Sequence, residues 1–183
     1  MSHSLIDAFD AAMADRESSV AKDLKLNFKR AVTDSALSAE EAALAVISFA
    51  RSSGLDAILG ESAHRAALDL GLAPELVREA EESAAIMGML NVYYRFRHFV
   101  DKEPGAAEAY GAAKLRMQSL AQPAMGKERF ELLAIGVSMI NGCEKCVVSH
   151  EKALMQMGVT REKIHDIARL AASVQGLAVL LRR

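Results

Sequence analysis

The stretch KERFELLAIGVSMINGCEKCVVSHEKALMQMG, residues 127–158, contains two helical patterns separated by a turn. Apolar residues recur with helical period from Lys127 to Ile140, and the pair Asn141-Gly142 is a strong turn signal that interrupts them. A second helix is predicted from Cys143 to Met157, because Gly158 follows it and glycine commonly ends a helix. The stretch therefore predicts two consecutive helices joined by a tight turn.

Helical patterns also recur on both sides of this unit. The further predicted helices cover residues 4–14, Lys22 to Ala31, Ser38 to about Arg51, Leu55 to Leu70, Pro74 to Phe99, a segment that begins at Pro104, and Thr160 to Leu181. Ser38 and Glu41 form a capping-box sequence, and Pro123 with Gly126 predicts a loop. No segment alternates convincingly with the period of a strand, so the predicted fold class is all-α, a multi-helical bundle.

Length and composition restrict the class of protein. The chain of 183 residues predicts a single domain, 1–183, and hydrophobic residues at 51% supply a sizeable core. The net charge of -2 argues against a nucleic-acid-binding scaffold. The start of the chain lacks a secretory pattern, and the apolar run from Leu132 to Ile140 is far shorter than the roughly 20 residues that span a bilayer. We therefore expect a cytoplasmic protein without a membrane or nucleic-acid partner.

A weak internal repeat is visible in the sequence. Glu41 and the four residues after it resemble Glu131 and its successors, and residues 65–75 resemble residues 152–162. These sequence similarities predict a two-fold repeat with halves at about 38–100 and 127–183, although helical proteins often show such similarities by chance. If the repeat is real, only the second half carries cysteines.

Two cysteines and a histidine are the main candidates for chemistry. On one helix Cys143 and Cys146 are three residues apart, and His150 follows Cys146 by four, so all three lie on one stripe. The imidazole can then approach the Cys146 sulfur, directly or through one water. Glu131 precedes the turn on a helix that folds back, where it can orient or deprotonate His150. Lys145 adds a nearby cation.

This pattern is typical of thiol redox chemistry. A helix N-terminus carries unpaired N–H groups and a partial positive charge, which stabilise a thiolate, and His150 can exchange a proton near neutral pH. A second thiol three residues away can convert a sulfenic acid into a disulfide before further oxidation. The pattern therefore predicts a redox-active Cys143–Cys146 pair.

Two other interpretations remain open for the cysteines. They can be small buried hydrophobic residues, or Cys143, Cys146 and His150 can be ligands of a structural zinc. A zinc site needs a fourth ligand, which Glu131 or His165 would have to supply at an unfamiliar spacing. No bound metal is expected on the favoured redox interpretation. His64 and His165 lie on polar helix faces and are expected to be solvated.

The segment from Asn91 to Phe99 is rich in aromatic and basic residues. The favoured interpretation is packing in the core or at a subunit interface, with Arg95 and Arg97 paired to carboxylates. The alternative places the segment against the cysteine site or an incoming partner. The methionines expected to fill the core are Met87, Met89, Met155 and Met157.

Two motifs together resemble a known family. Glu131, eleven intervening residues, the Cys-x-x-Cys of residues 143–146 and His150 resemble the alkylhydroperoxidase D (AhpD) proteins of the carboxymuconolactone decarboxylase-like superfamily. The segment Asn91–Phe99 is similar to a second signature of the same proteins. The resemblance covers essentially the whole chain. It implies a helical subunit with a two-part repeat that assembles as a homotrimer.

The resemblance also implies an activity and its partners. The implied protein is an antioxidant that reduces hydroperoxides without a bound cofactor. Its electrons come from dihydrolipoyl groups on a dihydrolipoamide acyltransferase, and it can pass them to a peroxiredoxin partner, AhpC. By the same resemblance Cys146 attacks the peroxide, Cys143 resolves it as proton donor, and Glu131 and His150 form a proton relay.

Three points bear on this assignment. Thioredoxin-type reasoning makes Cys143 the nucleophile, which is the opposite order. Many family members carry a histidine where Lys145 stands, and lysine is a poor proton shuttle near neutrality but can stabilise a thiolate. A decarboxylase-like enzyme of the wider superfamily, which would not need the cysteines, is a further alternative.

Overall fold

The computed structural model describes residues 3–181, and within that range the chain forms nine α-helices and no β-strand. The helices are α1 His3–Ala12, α2 Ser19–Thr33, α3 Ala39–Ser53, α4 Glu61–Asp69, α5 Pro74–Val100, α6 Ala106–Tyr110, α7 Lys127–Ile140, α8 Glu144–Gln156 and α9 Arg161–Leu181. A π-helical turn covers Asp56–Gly60 and a 3₁₀ turn covers Gln118–Leu120. The predicted all-α fold is confirmed.

Side-chain caps determine where several helices begin. The predicted capping box is present, since the Glu41 N–H donates to Ser38 Oγ at 3.1 Å and the Ser38 N–H donates to Glu41 Oε2 at 2.8 Å. The second helix begins three residues earlier than predicted, at Ser19, because Ser18 Oγ accepts from the Ala21 N–H. Pro74 lies in the first turn of α5, as predicted.

Two predicted helices differ from the structure. The helix predicted from Leu55 to Leu70 is divided into the π-helical turn Asp56–Gly60 and α4. The helix predicted to begin at Pro104 begins at Ala106 and has only five residues. It ends at Gly111, whose φ of 62° and ψ of -149° are conformations that only glycine adopts readily. An irregular segment then continues to the 3₁₀ turn.

Two helices, α3 and α7, form the centre of the bundle. Residues 41–50 of α3 and residues 130–138 of α7 are buried without interruption, which is expected of helices covered on every side. Helices α5 and α9 pack against both of them, and α8 packs mainly against α7. The two central helices meet where the Phe49 ring lies over Gly136.

The helix α9 is long and apolar enough to cross a membrane by length and composition alone. A single helix of this kind is weak evidence, because core helices pass the same test. Leu170, Val174 and Leu177 of α9 are buried, and the helix packs against α2, α3 and α7. The helix itself was predicted, from Thr160 to Leu181, but only the uninterrupted run from Leu132 to Ile140 was compared with the length of a membrane span.

An ion cluster joins the first turns of α3, α7 and α9. Lys163 Nζ lies 2.6 Å from Glu41 Oε1 and 2.9 Å from Glu128 Oε1, and Arg129 pairs with Glu40. Burial alone would lower the pKa of Lys163, but its two carboxylate partners outweigh burial and raise that pKa. The cluster anchors the start of α7, the helix on which Glu131 lies.

Each proposed half contains a helix, a glycine turn and a second helix. Gly54 and Gly142 follow the first helices with φ of 73° and 65°, and Gly71 and Gly158 follow the second with φ of 83° and 84°. Such left-handed glycines end many unrelated helices. The two-fold repeat, like the extent of the domain, therefore stays a prediction.

Contact between α3 and α7 can be tested at Gly136. A Cβ there would overlap the Phe49 ring, so we expect Gly136→Ala to lower the free energy of unfolding by about 1–3 kcal/mol. The control is Gly88→Ala in α5, where no atom lies within 4 Å of the added Cβ; this change should stabilise the helix by about 0.5–1 kcal/mol. Urea denaturation measures both, and equal effects would contradict the tight packing.

Candidate active site

The turn between α7 and α8 determines where the first cysteine lies. Gly142 adopts a φ of 65°, and the Cys143 N–H donates to the Ser138 carbonyl at 2.9 Å, which closes the turn onto the end of α7. Cys143 occupies the N-cap position of α8 and Cys146 lies in the first turn of that helix. The sequence pattern placed both cysteines near a helix N-terminus, and the structure does the same.

Both cysteines are buried and their sulfurs are bonded to each other. Cys143 is 1% exposed and Cys146 is 6% exposed. Their Cα atoms are 5.3 Å apart, within the usual range for a disulfide. The i,i+3 spacing therefore allows the bridge that the redox interpretation requires.

His150 and Glu131 form the polar half of the site. His150 Nδ1 donates to Glu131 Oε2 at 2.6 Å, and Lys127 Nζ lies 3.0 Å from the other carboxylate oxygen. Burial alone would raise the pKa of Glu131, but the hydrogen bond and charge of His150, together with Lys127, outweigh burial and hold that pKa below its ordinary value. A charged Glu131 fixes the ring so that Nε2 is the nitrogen left for proton exchange.

Cys146 and His150 share an apolar cavity of about 350 Å³. Its other lining residues are Met87, Leu90 and Tyr94 of α5, Met117 at the end of the irregular segment, Leu120 of the 3₁₀ turn, and Lys145 and Ser149 of α8. Met117 and Leu120 were not predicted to lie near the site, because their segment has no periodic pattern. A hydroperoxide in this cavity would meet a sulfur and an imidazole in a largely apolar environment.

A second, smaller cavity of about 140 Å³ lies on the side of Cys143. Its lining residues are Arg95, His98, Phe99 and Lys102 of α5 together with Gly142, Cys143, Glu144 and Lys145. The two cysteines thus line different cavities, with Lys145 at the edge of both. The Lys145 ammonium lies 3.3 Å from Asp101 Oδ2. The positive charge that was predicted to stabilise a thiolate is therefore also paired with a carboxylate.

The aromatic segment contacts the cysteine turn as well as solvent. Arg95 Nη1 donates to the Asn141 carbonyl at 2.7 Å, so its predicted pairing with a carboxylate is wrong. Arg97 lies 3.9 Å from Asp101 Oδ1 and also donates to the Gly111 carbonyl. Phe99 is 62% exposed, so this part of α5 is not core. The alternative interpretation, a segment against the cysteine site, fits the Arg95 contact.

The remaining candidates lie apart from this centre. His165 is exposed on α9, and His64 Nδ1 lies 3.2 Å from Glu81 with its side chain partly in solvent. Among the side chains that the structure describes, no group of three or more His, Cys, Asp or Glu is arranged to hold a metal ion. The zinc interpretation therefore lacks a ligand set in the described part of the chain.

Only one of the four methionines clearly belongs to the core. Met87 is 1% exposed, whereas Met89 and Met157 are exposed and Met155 is half-buried. The core prediction is wrong for the two exposed residues, because helical period alone does not show which faces have neighbours.

The charge of Glu131 predicts a pH-dependent stability. Since its pKa is depressed in the folded protein, the carboxylate stabilises the fold above its unfolded pKa, and this stabilisation is lost as pH falls through the folded pKa. We expect the unfolding free energy to drop in Glu131→Gln at pH 7, and the deficit to shrink below about pH 4.3. Urea titrations at several pH values measure it, with the exposed Glu82→Gln as control. A deficit independent of pH would contradict the assignment.

Comparison with known proteins identifies the family. Residues 106–182 match the carboxymuconolactone decarboxylase family model. The alkyl hydroperoxide reductase AhpD of Anaeromyxobacter dehalogenans (strain 2CP-C) is 42% identical, over 88% of this chain and 84% of its own length. The proteins of the same name from Gluconacetobacter diazotrophicus and Streptomyces coelicolor are each 37% identical, over 92% and 96% of this chain and 90% and 94% of their own lengths. The chain therefore belongs to the AhpD family of the carboxymuconolactone decarboxylase superfamily.

Proposed function

We propose that this protein is an antioxidant alkyl hydroperoxide reductase whose redox centre is the Cys143–Cys146 pair. The observation that carries the proposal is that Cys146 of the disulfide and His150 line one apolar cavity, with His150 held by the buried Glu131. The relatives carry the name alkyl hydroperoxide reductase, which supports the same activity.

The proposed reaction uses both thiols and one hydroperoxide. The Cys146 thiolate attacks the distal oxygen, the O–O bond breaks, and the alcohol leaves with a proton from His150 or Cys143. The Cys143 sulfur then attacks the resulting sulfenic acid and releases water as the disulfide closes. The two thiols lose two electrons and two protons, and the hydroperoxide becomes an alcohol and water.

The order of the two cysteines follows from their surroundings. Cys146 shares its cavity with His150, whereas Cys143 lies on the other side and is the more deeply buried. We therefore propose Cys146 as the attacking thiol and Cys143 as the resolving thiol. Lys145 is proposed to adjust the charge around both, although it shares its ammonium with Asp101.

Thiol titration tests the peroxidase directly. We expect the reduced protein to lose both thiols on mixing with cumene hydroperoxide, and His150→Gln to slow that loss by about 10²-fold or more, because the proton transfer is removed. Cys143→Ser should accumulate an oxidised Cys146, and Cys146→Ser should keep its single thiol. His165→Gln, exposed on α9, is the matched control and should react like the native protein.

Three results would contradict this scheme. Survival of two thiols in excess hydroperoxide would exclude the peroxidase. Preferential labelling of Cys143 by a limiting alkylating reagent would reverse the order of the thiols. Full turnover of a lactone acid by Cys146→Ser would instead favour the decarboxylase-like alternative of the superfamily.

The proposed electron donor is a dihydrolipoyl group on a dihydrolipoamide acyltransferase. A dithiolate attacks the disulfide and then closes its own ring, which drives release of the reduced protein. Met87, Leu90 and Leu120 form an apolar wall of the cavity. The aliphatic lipoyl arm can bury apolar surface against this wall, whereas a small polar thiol cannot. We propose that this cycle runs in the cytoplasm.

Reduction by two dithiols tests the donor. We expect dihydrolipoamide to reduce the disulfide about tenfold faster than dithiothreitol, and Leu120→Ser to remove most of that preference. Leu68→Ser, at an exposed leucine of α4, is the matched control. Stopped-flow measurement of thiol release gives both rates. Equal rates for the two dithiols in the native protein would exclude specific recognition of the lipoyl arm.

A peroxiredoxin of the AhpC type is the proposed acceptor of electrons in addition to free hydroperoxides, and a homotrimer is the proposed assembly. Exposed apolar side chains on one helix support the assembly, since Val92 is 60% exposed and Phe99 is 62% exposed on α5. Apolar side chains grouped in this way are typical of interaction surfaces.

A further inference from the structure

The thiol chemistry proposed above gives no role to Asn91 and Arg95 of the sequence motif Asn91–Phe99. These two residues contact the turn that precedes Cys143. Asn91 is fully buried in α5, and Arg95 lies one helical turn further along, half-buried. The partners of this buried amide are Ser138 at the end of α7 and Asn141 of the turn, which indicates that the contact fixes the start of the turn.

Three hydrogen bonds connect α5 with the end of α7 and the turn, and a fourth closes the turn itself. Asn91 Nδ2 donates to Ser138 Oγ at 2.9 Å, and Asn141 Nδ2 donates to Asn91 Oδ1 at 3.0 Å. Arg95 Nη1 donates to the Asn141 carbonyl at 2.7 Å, while the carbonyl of Ser138 accepts the Cys143 N–H at 2.9 Å. The side of the turn that follows α7 is therefore bonded to α5, and Cys143 on the other side is bonded back to Ser138.

The position of Cys143 depends on this turn more than that of Cys146 does. Cys143 is the N-cap residue and lies just outside the regular part of α8, whereas Cys146 lies within the helix. A disulfide closes readily when the two sulfurs are already held close together. If the backbone around one sulfur is mobile, closing the bond costs the conformational entropy of that segment. A turn that moved after reduction would make the bridge harder to reform.

We infer that Asn91 and Arg95 are positioning residues for the cysteine pair. They hold the turn so that Cys143 stays beside Cys146 in the dithiol form, and they thereby favour the disulfide over the dithiol at equilibrium. The inference deepens the proposed function because it concerns the same pair, but the equilibrium itself involves no hydroperoxide. The bond between the sulfurs forms as oxidised dithiothreitol is reduced to its dithiol, with two electrons and two protons passing from the two cysteine thiols to that disulfide.

A direct charge effect of Arg95 is the competing explanation. Arg95 lines the same small cavity as Cys143, so its positive charge acts on a thiolate there as well as on the Asn141 carbonyl. Two replacements separate these effects. Arg95→Gln keeps a donor for the carbonyl without the charge, and Arg95→Lys keeps the charge without the planar group.

The experiment measures the disulfide equilibrium in a buffer of reduced and oxidised dithiothreitol. We expect Arg95→Met to shift the equilibrium about tenfold toward the dithiol, which corresponds to about 30 mV for a two-electron couple. Arg95→Gln should recover most of the native value. Arg78→Met, at an exposed arginine of the same helix, is the matched control and should not shift it.

Asn91 supplies a second test at a buried position. Asn91→Ala is expected to shift the equilibrium in the same direction as Arg95→Met, and far-UV circular dichroism shows whether it keeps its fold. If Asn91→Ala does not fold, the three replacements of Arg95 by Met, Gln and Lys test the inference by themselves. A second readout is oxidation of Cys146 to the sulfinic acid by excess hydroperoxide, which should increase in Arg95→Met because the resolving thiol arrives later.

The outcomes distinguish this inference from the proposed function. An unchanged equilibrium in Arg95→Met, or a shift that Lys restores and Gln does not, would overturn the positioning role whatever the peroxidase assay shows. A native protein that does not react with hydroperoxide would overturn the peroxidase while leaving a shifted equilibrium as support for the positioning role.

Discussion

The folding back of α8 along α7 is the constraint on which the site depends. Glu131 lies eleven residues before Gly142 and His150 eight residues after it, which correspond to about 16 and 12 Å of helix. The tight turn brings His150 Nδ1 to 2.6 Å from Glu131 Oε2, one helical turn beyond Cys146 on α8. A glycine with left-handed φ and the bond from the Cys143 N–H to Ser138 close that turn. The Glu131–His150 pair and the Cys143–Cys146 pair are thus consequences of one backbone reversal.

Electrostatics within this reversal favour a charged Glu131. A buried carboxylate is costly alone, and here two basic neighbours, His150 and Lys127, offset the cost. The ion cluster around Lys163 holds the start of α7, the helix that carries Glu131. The backbone of Glu131 is therefore held in place by this cluster, and its side chain by His150 and Lys127. A fixed carboxylate orients the imidazole toward the cavity without further rearrangement.

Local sequence pattern predicts what is local in the structure. The capping box at Ser38, the turn at Asn141-Gly142 and the closeness of Cys143 to Cys146 each depend on residues a few positions apart, and each is present. The contact between Glu131 and His150 was also expected, because a single turn separates their helices. The chemical roles of these residues stay predictions.

Features that depend on distant segments were not predictable in the same way. The contact of Asn91 and Arg95 with the cysteine turn joins residues about fifty positions apart, and no period in either segment indicates it. The same holds for the pairing of Lys145 with Asp101 and for the exposure of Met89. Helical period gives the faces of a helix, whereas the neighbours of each face come from the tertiary packing.

Part of the apolar cavity belongs to neither proposed half of the chain. Met117 and Leu120 lie between residues 100 and 127, in the connection between α6 and α7. This connection begins at Gly111, where α6 ends, and contains only a short 3₁₀ turn. The free energy of closing an irregular loop changes slowly with its length, so insertions or deletions there disturb the helical core little. The shape of the cavity can therefore change with this segment while the helices that carry Cys146 and His150 keep their arrangement.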